Sequence, residues 1–262
     1  MNEHFNRRRL GLLIRNDFVR GLRGFLTVFT VIGIVMILNA IPSAGFGELK
    51  EGYYDICFGG MIFIWGSMYS SLMFHELTDK KLNESYLLLP ASALEKTLTR
   101  YLDSTVIFIF YMLVFTTLAA LLIEGINMLM FSRSNDLFNP FSSWTWEVIG
   151  AFMIIQPIFF LGGAWFRSAR WFKTIISVFI LAAGLGLLAC FTFVILFAGE
   201  LHGLFQGTGI VLDGQGLDWT VNSDLFEGVH TGLKILFVVL APPFCCYLTW
   251  LRVRETQVSH GI

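Results

Sequence analysis

The sequence predicts an all-α polytopic membrane protein with six transmembrane helices, and three observations predict it. Composition comes first: of 262 residues, 55% are hydrophobic and 14% charged, with a mean hydropathy of +0.68. A soluble domain spends about a quarter of its residues on charge to keep its surface wet. Second, six apolar runs are long enough to cross a hydrocarbon core, which takes about 20 residues of helix. Third, Lys and Arg cluster on alternate loops. Fifteen fall in the N-terminal segment, the second and fourth loops and the C-terminal end; the other three are Lys50, Arg133 and Lys234. Cytoplasmic loops collect Lys and Arg, so both termini are expected in the cytoplasm. A spanning barrel would show short alternating segments in place of long apolar runs.

The N-terminal segment, 1–24, reads as an amphipathic interfacial helix. Leu10, Ile14, Phe18 and Leu22 recur every four residues and form one stripe, while Arg7, Arg8, Arg9, Arg15, Arg20 and Arg23 lie mostly around the rest. Such a helix lies in the headgroup layer with its arginines near lipid phosphates. No small-residue cleavage site follows a short apolar core, so this segment is not expected to be a cleaved signal. The spans are read as Phe25–Ile41, Tyr54–Phe74, Thr105–Ile123, Val148–Trp165, Ile175–Ala198 and Leu233–Leu251. Trp144, Trp146, Trp165, Trp171 and Trp250 stand near span ends, where amphipathic rings favour the interface. The outer segment, 200–230, is acidic and carries no Lys or Arg, as an extracytoplasmic loop should. Nothing divides the chain, so 1–262 reads as a single transmembrane domain.

The cytoplasmic loop at 75–102 contains its own signal. Pro90 disfavours helix at Leu89. Ser92 then reads as an N-cap, and Glu95 three residues on completes a capping box. Leu94, Leu98, Tyr101 and Leu102 fall on one helical stripe, with Lys96 and Arg100 off it. The apolar run Tyr86–Leu89 is too short to span and needs a protein partner or the membrane surface to cover it. This pattern fits a docking helix on the cytoplasmic face, and it equally fits an inward extension of the third span.

Several chemistries are excluded or disfavoured. His75-Glu76 opens HELTD, where Asp79 stands in place of the second histidine of a zinc-protease motif. GxxxxGK[ST] and GxSxG are absent. Cys57, Cys190, Cys245 and Cys246 lie in or beside apolar runs without CxxC spacing, and read as packing residues. The five histidines are scattered. A net charge of −1 offers no basic field for nucleic acid. Asp103 and Glu124 merely flank the third span, which disfavours an ion-coupled carrier. Milder polar features are Ser67, Ser70 and Ser71 in the second span, Gln156-Pro157 in the fourth, Pro242-Pro243 in the sixth, and an Ala182, Gly186, Cys190 ridge in the fifth.

The order of these elements, and the phrase FHELTDKKLNESYLLLPASALEK at Phe74–Lys96, resemble the permease subunit of bacterial type-2 ABC exporters, especially those of Bacteroidetes-like genomes. The resemblance in layout covers nearly the whole chain. It implies a coupling helix between the second and third spans that docks into a separate ABC ATPase subunit. Leu89, Pro90, Ser92, Leu94, Glu95 and Lys96 would touch or shape that contact. The resemblance also implies a connector helix at the N-terminus and short outer helices before the last span. It implies a second permease copy, homo- or heterodimeric, a bacterial inner-membrane location, and ATP and Mg bound by the partner and not by this chain. The glycine-rich GTGIVLDGQG departs from that pattern and reads as turns or a hairpin. The competing readings are a non-transporting scaffold or accessory subunit of a larger complex, and an intramembrane enzyme using His75, Glu76 and Asp79.

Overall fold

The computed structural model describes residues 7–46, 52–75, 92–132, 136–196 and 223–260. These residues are all-helical, with no strand among them. The helices are α1 (Arg7–Phe46), α2 (Tyr53–Leu72), α3 (Ala93–Leu102), a π-helical turn (Asp103–Ile107), α4 (Phe108–Phe131), α5 (Ser143–Trp165), α6 (Arg170–Leu196) and α7 (Ser223–His260). The described part of every predicted span therefore lies on a helix, although Met73 and Phe74 fall beyond the end of α2 and 197–198 lie outside the described residues. Three helices are long and apolar enough to cross a membrane: Ala93–Phe131, Ser143–Trp165 and Arg170–Thr192.

Local chemistry sets the ends. Ser142 caps α5 by accepting from the Thr145 amide at 3.1 Å. Ser132 stops α4 in the left-handed region, at φ 53°. Gly52, at φ 72°, precedes α2, a conformation glycine adopts without strain.

The chain forms two compact units, residues 1–171 with 241–262, and residues 172–240. In the first, successive long helices alternate in direction. Phe29 stacks on Phe115 at 4.7 Å and Phe18 on Tyr111 at 5.6 Å, so α1 and α4 run parallel. A Cβ at Gly59 would meet Trp144, one at Gly66 Phe152, and one at Gly163 the Ser71 backbone, so α2 and α5 run parallel. Tyr54 pairs with Glu124 and Tyr69 with Asp103, so α2 and α4 run antiparallel. The core is aromatic, with Phe58, Phe74, Phe108, Phe152 and Phe160 all fully buried. In the second unit, the described apolar side chains of α6 are nearly all exposed, Phe179 and Leu187 among them, and so is the Ala182, Gly186, Cys190 ridge. In a bilayer that surface is covered by lipid or by another helix.

The continuity of the helices bears on two expectations. The N-terminal stripe is not a helix apart from the first span, because α1 continues unbroken from Arg7 to Phe46. Gly21 and Gly24 each lower helix propensity, but neither removes a backbone donor as proline does, so the helix carries on. Phe18 stacks on Tyr111, in the apolar run read as the third span. Ile14 is half-buried and Arg8 exposed; the side chains of Arg7, Arg9, Leu10 and Leu22 lie outside the described residues. The loop helix α3 likewise has no break before the third span, since the backbone stays helical from Ala93 to Phe131 through the π turn. That continuous helix has 39 residues, or about 58 Å at 1.5 Å each, against a hydrocarbon core of about 30 Å. Its first turns therefore project beyond the apolar run that starts at Thr105. The outer segment up to Asn222 lies outside the described residues.

Candidate functional site

At the start of α3 both halves of the capping box are present. The Ser92 amide donates to Glu95 Oε2 at 2.9 Å, and Ser92 Oγ accepts from the Glu95 amide at 3.2 Å. The exposure pattern around this helix reverses the expected one. Leu94 is 48% exposed, while Glu95 is 0% and Lys96 3% exposed. α1 packs along α3, and Ala93 and Tyr101 pack on the Met73, Phe74, Phe160, Val253 cluster. These neighbours leave the Leu94 side outward. Glu95 and Lys96 are thus turned away from the open side of α3; Glu95 fixes the helix start, and Leu94 is the exposed side chain. Burial pushes the Lys96 ammonium down to about 8. Leu89 and Pro90, with the whole of Tyr86–Leu89, lie outside the described residues.

One turn into the bundle, three helices meet in a polar layer. The register follows from Gly66, whose missing side chain admits the rings of Phe152 and Phe108; a Cβ there would lie 2.4 Å from one and 2.8 Å from the other. One turn further along α2 comes Ser70. The same step along parallel α5 leads from Phe152 to Gln156, and along the antiparallel third-span helix from Phe108 to Ser104. Gln156 Nε2 donates to Ser104 Oγ at 2.8 Å. Beside this pair, Tyr69 donates its hydroxyl to Asp103 Oδ2 at 2.7 Å. Ser67 accepts from Trp171 Nε1 at 2.8 Å, and Ser71 Oγ lies 3.4 Å from the Phe159 carbonyl. Three buried oxygens in this layer have no hydrogen-bond partner: Ser70 Oγ, Asp103 Oδ1 and Gln156 Oε1.

The helices are distorted at this same level. Asp103–Ile107 is π-helical, a form that occurs mostly as single turns, often at functional sites. Pro157 removes a backbone donor from α5 beside Gln156. Aromatic rings close the layer on both sides. Phe108 and Phe152 lie 5.9 Å apart on one side; on the other, Phe160 meets Phe74 at 4.8 Å with tilted rings and Tyr101 edge-on at 5.7 Å.

A second polar pair sits at the far end of α2. Tyr54 donates to Glu124 Oε1 at 2.5 Å, and Asn127 Nδ2 reaches the same oxygen at 3.4 Å. Asp103 and Glu124 are 21 positions apart, about 31 Å of helix, close to the thickness of a hydrocarbon core, about 30 Å.

Sequence reasoning marked Ser67, Ser70, Ser71 and Gln156 as mild features and Asp103 as a flank; it did not bring them together, and it missed Tyr69 and Ser104. The available signal was the one-turn offset of Ser70, Gln156 and Ser104 from a glycine and two phenylalanines. Among the described residues no group of His, Cys, Asp and Glu could hold a metal ion by itself. His75 is exposed at the end of α2, and Glu76 and Asp79 lie outside the described residues. The chain matches no protein-family model, and no curated protein or solved structure is similar to it at a significant level.

Proposed function

We propose that this chain is the membrane-spanning permease subunit of a bacterial inner-membrane transporter, driven by a separate ABC ATPase that docks at the 84–102 loop. In this reading all six apolar helices span, both termini are cytoplasmic, and two permease copies form the path. ATP and Mg bind the partner. The observation that carries the proposal is the rod Ala93–Phe131. Its capping box fixes one end, Leu94 faces outward there, and the backbone stays helical into the third span. A push on that end is delivered to the bundle without an intervening hinge loop. The alternation of parallel and antiparallel neighbours supports successive crossings, and the resemblance of Phe74–Lys96 to an exporter loop supports the partner's class.

The test is purification of the full chain in mild detergent with mass spectrometry of what accompanies it. A stoichiometric P-loop ATPase is expected, lost on Leu94→Asp while insertion and melting temperature stay unchanged. Glu95 is left alone, because replacing it would undo the cap. A preparation that carries only membrane partners without a nucleotide site would overturn the reading in favour of an accessory scaffold.

A further inference from the structure

We propose that the polar layer between α2, the π turn and α5 is an occluded site for one small monovalent cation of the sodium type. Three observations converge on it. Ser70 and Gln156 are 0% exposed and Asp103 3% exposed, yet each keeps an unpartnered oxygen. A buried polar atom left without a partner costs on the order of 1–3 kcal/mol, and more when charged, so three in one layer call for an occupant.

The atoms define its chemistry. They are a carboxylate oxygen, an amide oxygen and a hydroxyl oxygen, the donor set of a hard cation. Among the described residues of the layer there is no thiol or imidazole to serve as ligand to a soft metal. Among the described residues the layer contains one carboxylate, Asp103. A monovalent ion would neutralise it, whereas a divalent ion would leave a net charge in a low-dielectric interior. Arg100 lies one turn before Asp103 and adds positive potential, but Oδ1 receives no hydrogen bond from it. Tyr69 holds the other carboxylate oxygen and so turns Oδ1 away from itself. The Phe108–Phe152 pair packs on one side and Phe74, Phe160 and Tyr101 on the other, and the three oxygens have no contact with solvent, which makes the site occluded and not a surface patch.

The proposal stands apart from the ATPase reading, since it uses only residues inside the bundle. The test is equilibrium binding of radioactive sodium to the purified full chain in lipid nanodiscs, with melting temperature followed as choline chloride is exchanged for sodium chloride at constant ionic strength. Saturable binding of about one ion per chain and a saturable rise in melting temperature are expected. Both should weaken at least tenfold in affinity in Ser70→Ala and Gln156→Leu and vanish in Asp103→Asn. Ser70→Ala changes one oxygen, so it keeps the test decisive if the Asp103 variant does not fold. Absence of sodium binding overturns the proposal, as does binding that Ser70→Ala and Gln156→Leu leave unchanged. Stabilisation that follows pH and not sodium overturns it too, in favour of a proton on Asp103.

Discussion

Gly163 is where α5 touches the backbone of α2, and replacing it with alanine gives the sharpest check on how the site is held. A Cβ at Gly163 would lie 2.6 Å from the Ser71 carbonyl oxygen and 3.0 Å from its carbonyl carbon. Ordinary contact begins near 3.4 Å, so α5 would have to retreat by about 0.8 Å. A flexible side chain could swing aside, but this obstacle is helical backbone and cannot. Inserting one carbon into a packed interior costs typically about 1–3 kcal/mol, and the rigid partner puts this case near about 3. For a chain of this size that corresponds to a fall in melting temperature of roughly 6–12 °C. Gly150→Ala is the matched control: it is on the same helix, with nothing within 4 Å of its Cβ. There alanine should be neutral or stabilising by about 0.5–1 kcal/mol, because glycine weakens a helix. The assay is thermal unfolding of the two variants and the parent in one detergent, followed by intrinsic tryptophan fluorescence. If Gly163→Ala melted within about 2 °C of Gly150→Ala, a shift well below that 6–12 °C, the close α2–α5 contact would be wrong. The register that places Gln156 against Ser104 would fall with it.

Tyr54→Phe removes the hydroxyl that donates to buried Glu124. It should cost about 1–3 kcal/mol, and pairing it with Glu124→Gln should cost less than the sum of the two singles, as measured by a double-mutant cycle on melting temperature. Lys96 carries a pH signature. Burial holds its ammonium at about 8 in the folded chain, against an ordinary 10.5. Between those values the unfolded chain binds the extra proton, so stability rises as pH increases from 8 to 10.5, and the burial penalty is complete below 8. Lys96→Met should flatten that rise in melts recorded at pH 7 and pH 10.

The helices were legible because their signals are local. Each apolar run reports its own burial, and Ser92 with Glu95 announces a helix start through residues three positions apart, so the cap could be read without knowing what lies around it. What surrounds it could not. The stripe Leu94, Leu98, Tyr101, Leu102 looks like an inward face, yet α1 lies along α3 and a cluster built from α2, α5 and α7 covers Tyr101. The side left open is the one bearing Leu94, while Glu95 and Lys96 turn inward. Amphipathic periodicity assumes one buried face against one solvent; a short helix with neighbours on two sides at the edge of a bilayer violates both assumptions.

The polar layer was hidden for a related reason. Its members are single serines, one tyrosine, one glutamine and one aspartate, each unremarkable alone and spread between Ser67 and Gln156. They become a site only when α2, α5 and the third-span helix take one register, and Gly66 and Gly163 set that register by close approach. A glycine in an apolar helix gives no sign in sequence of whether it faces lipid, as an open position does, or another backbone. Gly150 and Gly163 stand in the same helix and differ in just this way. The consequence for function is directional. If the rod Ala93–Phe131 moves, the π turn carrying Asp103 and Ser104 moves with it, while Ser70 and Gln156 stay with the α2–α5 pair that Gly163 locks together. Motion at Leu94 would then open or close the layer by separating Ser104 from Gln156 and Asp103 from Tyr69, which links the exposed end of the rod to the buried oxygens through two hydrogen bonds, 2.8 and 2.7 Å long.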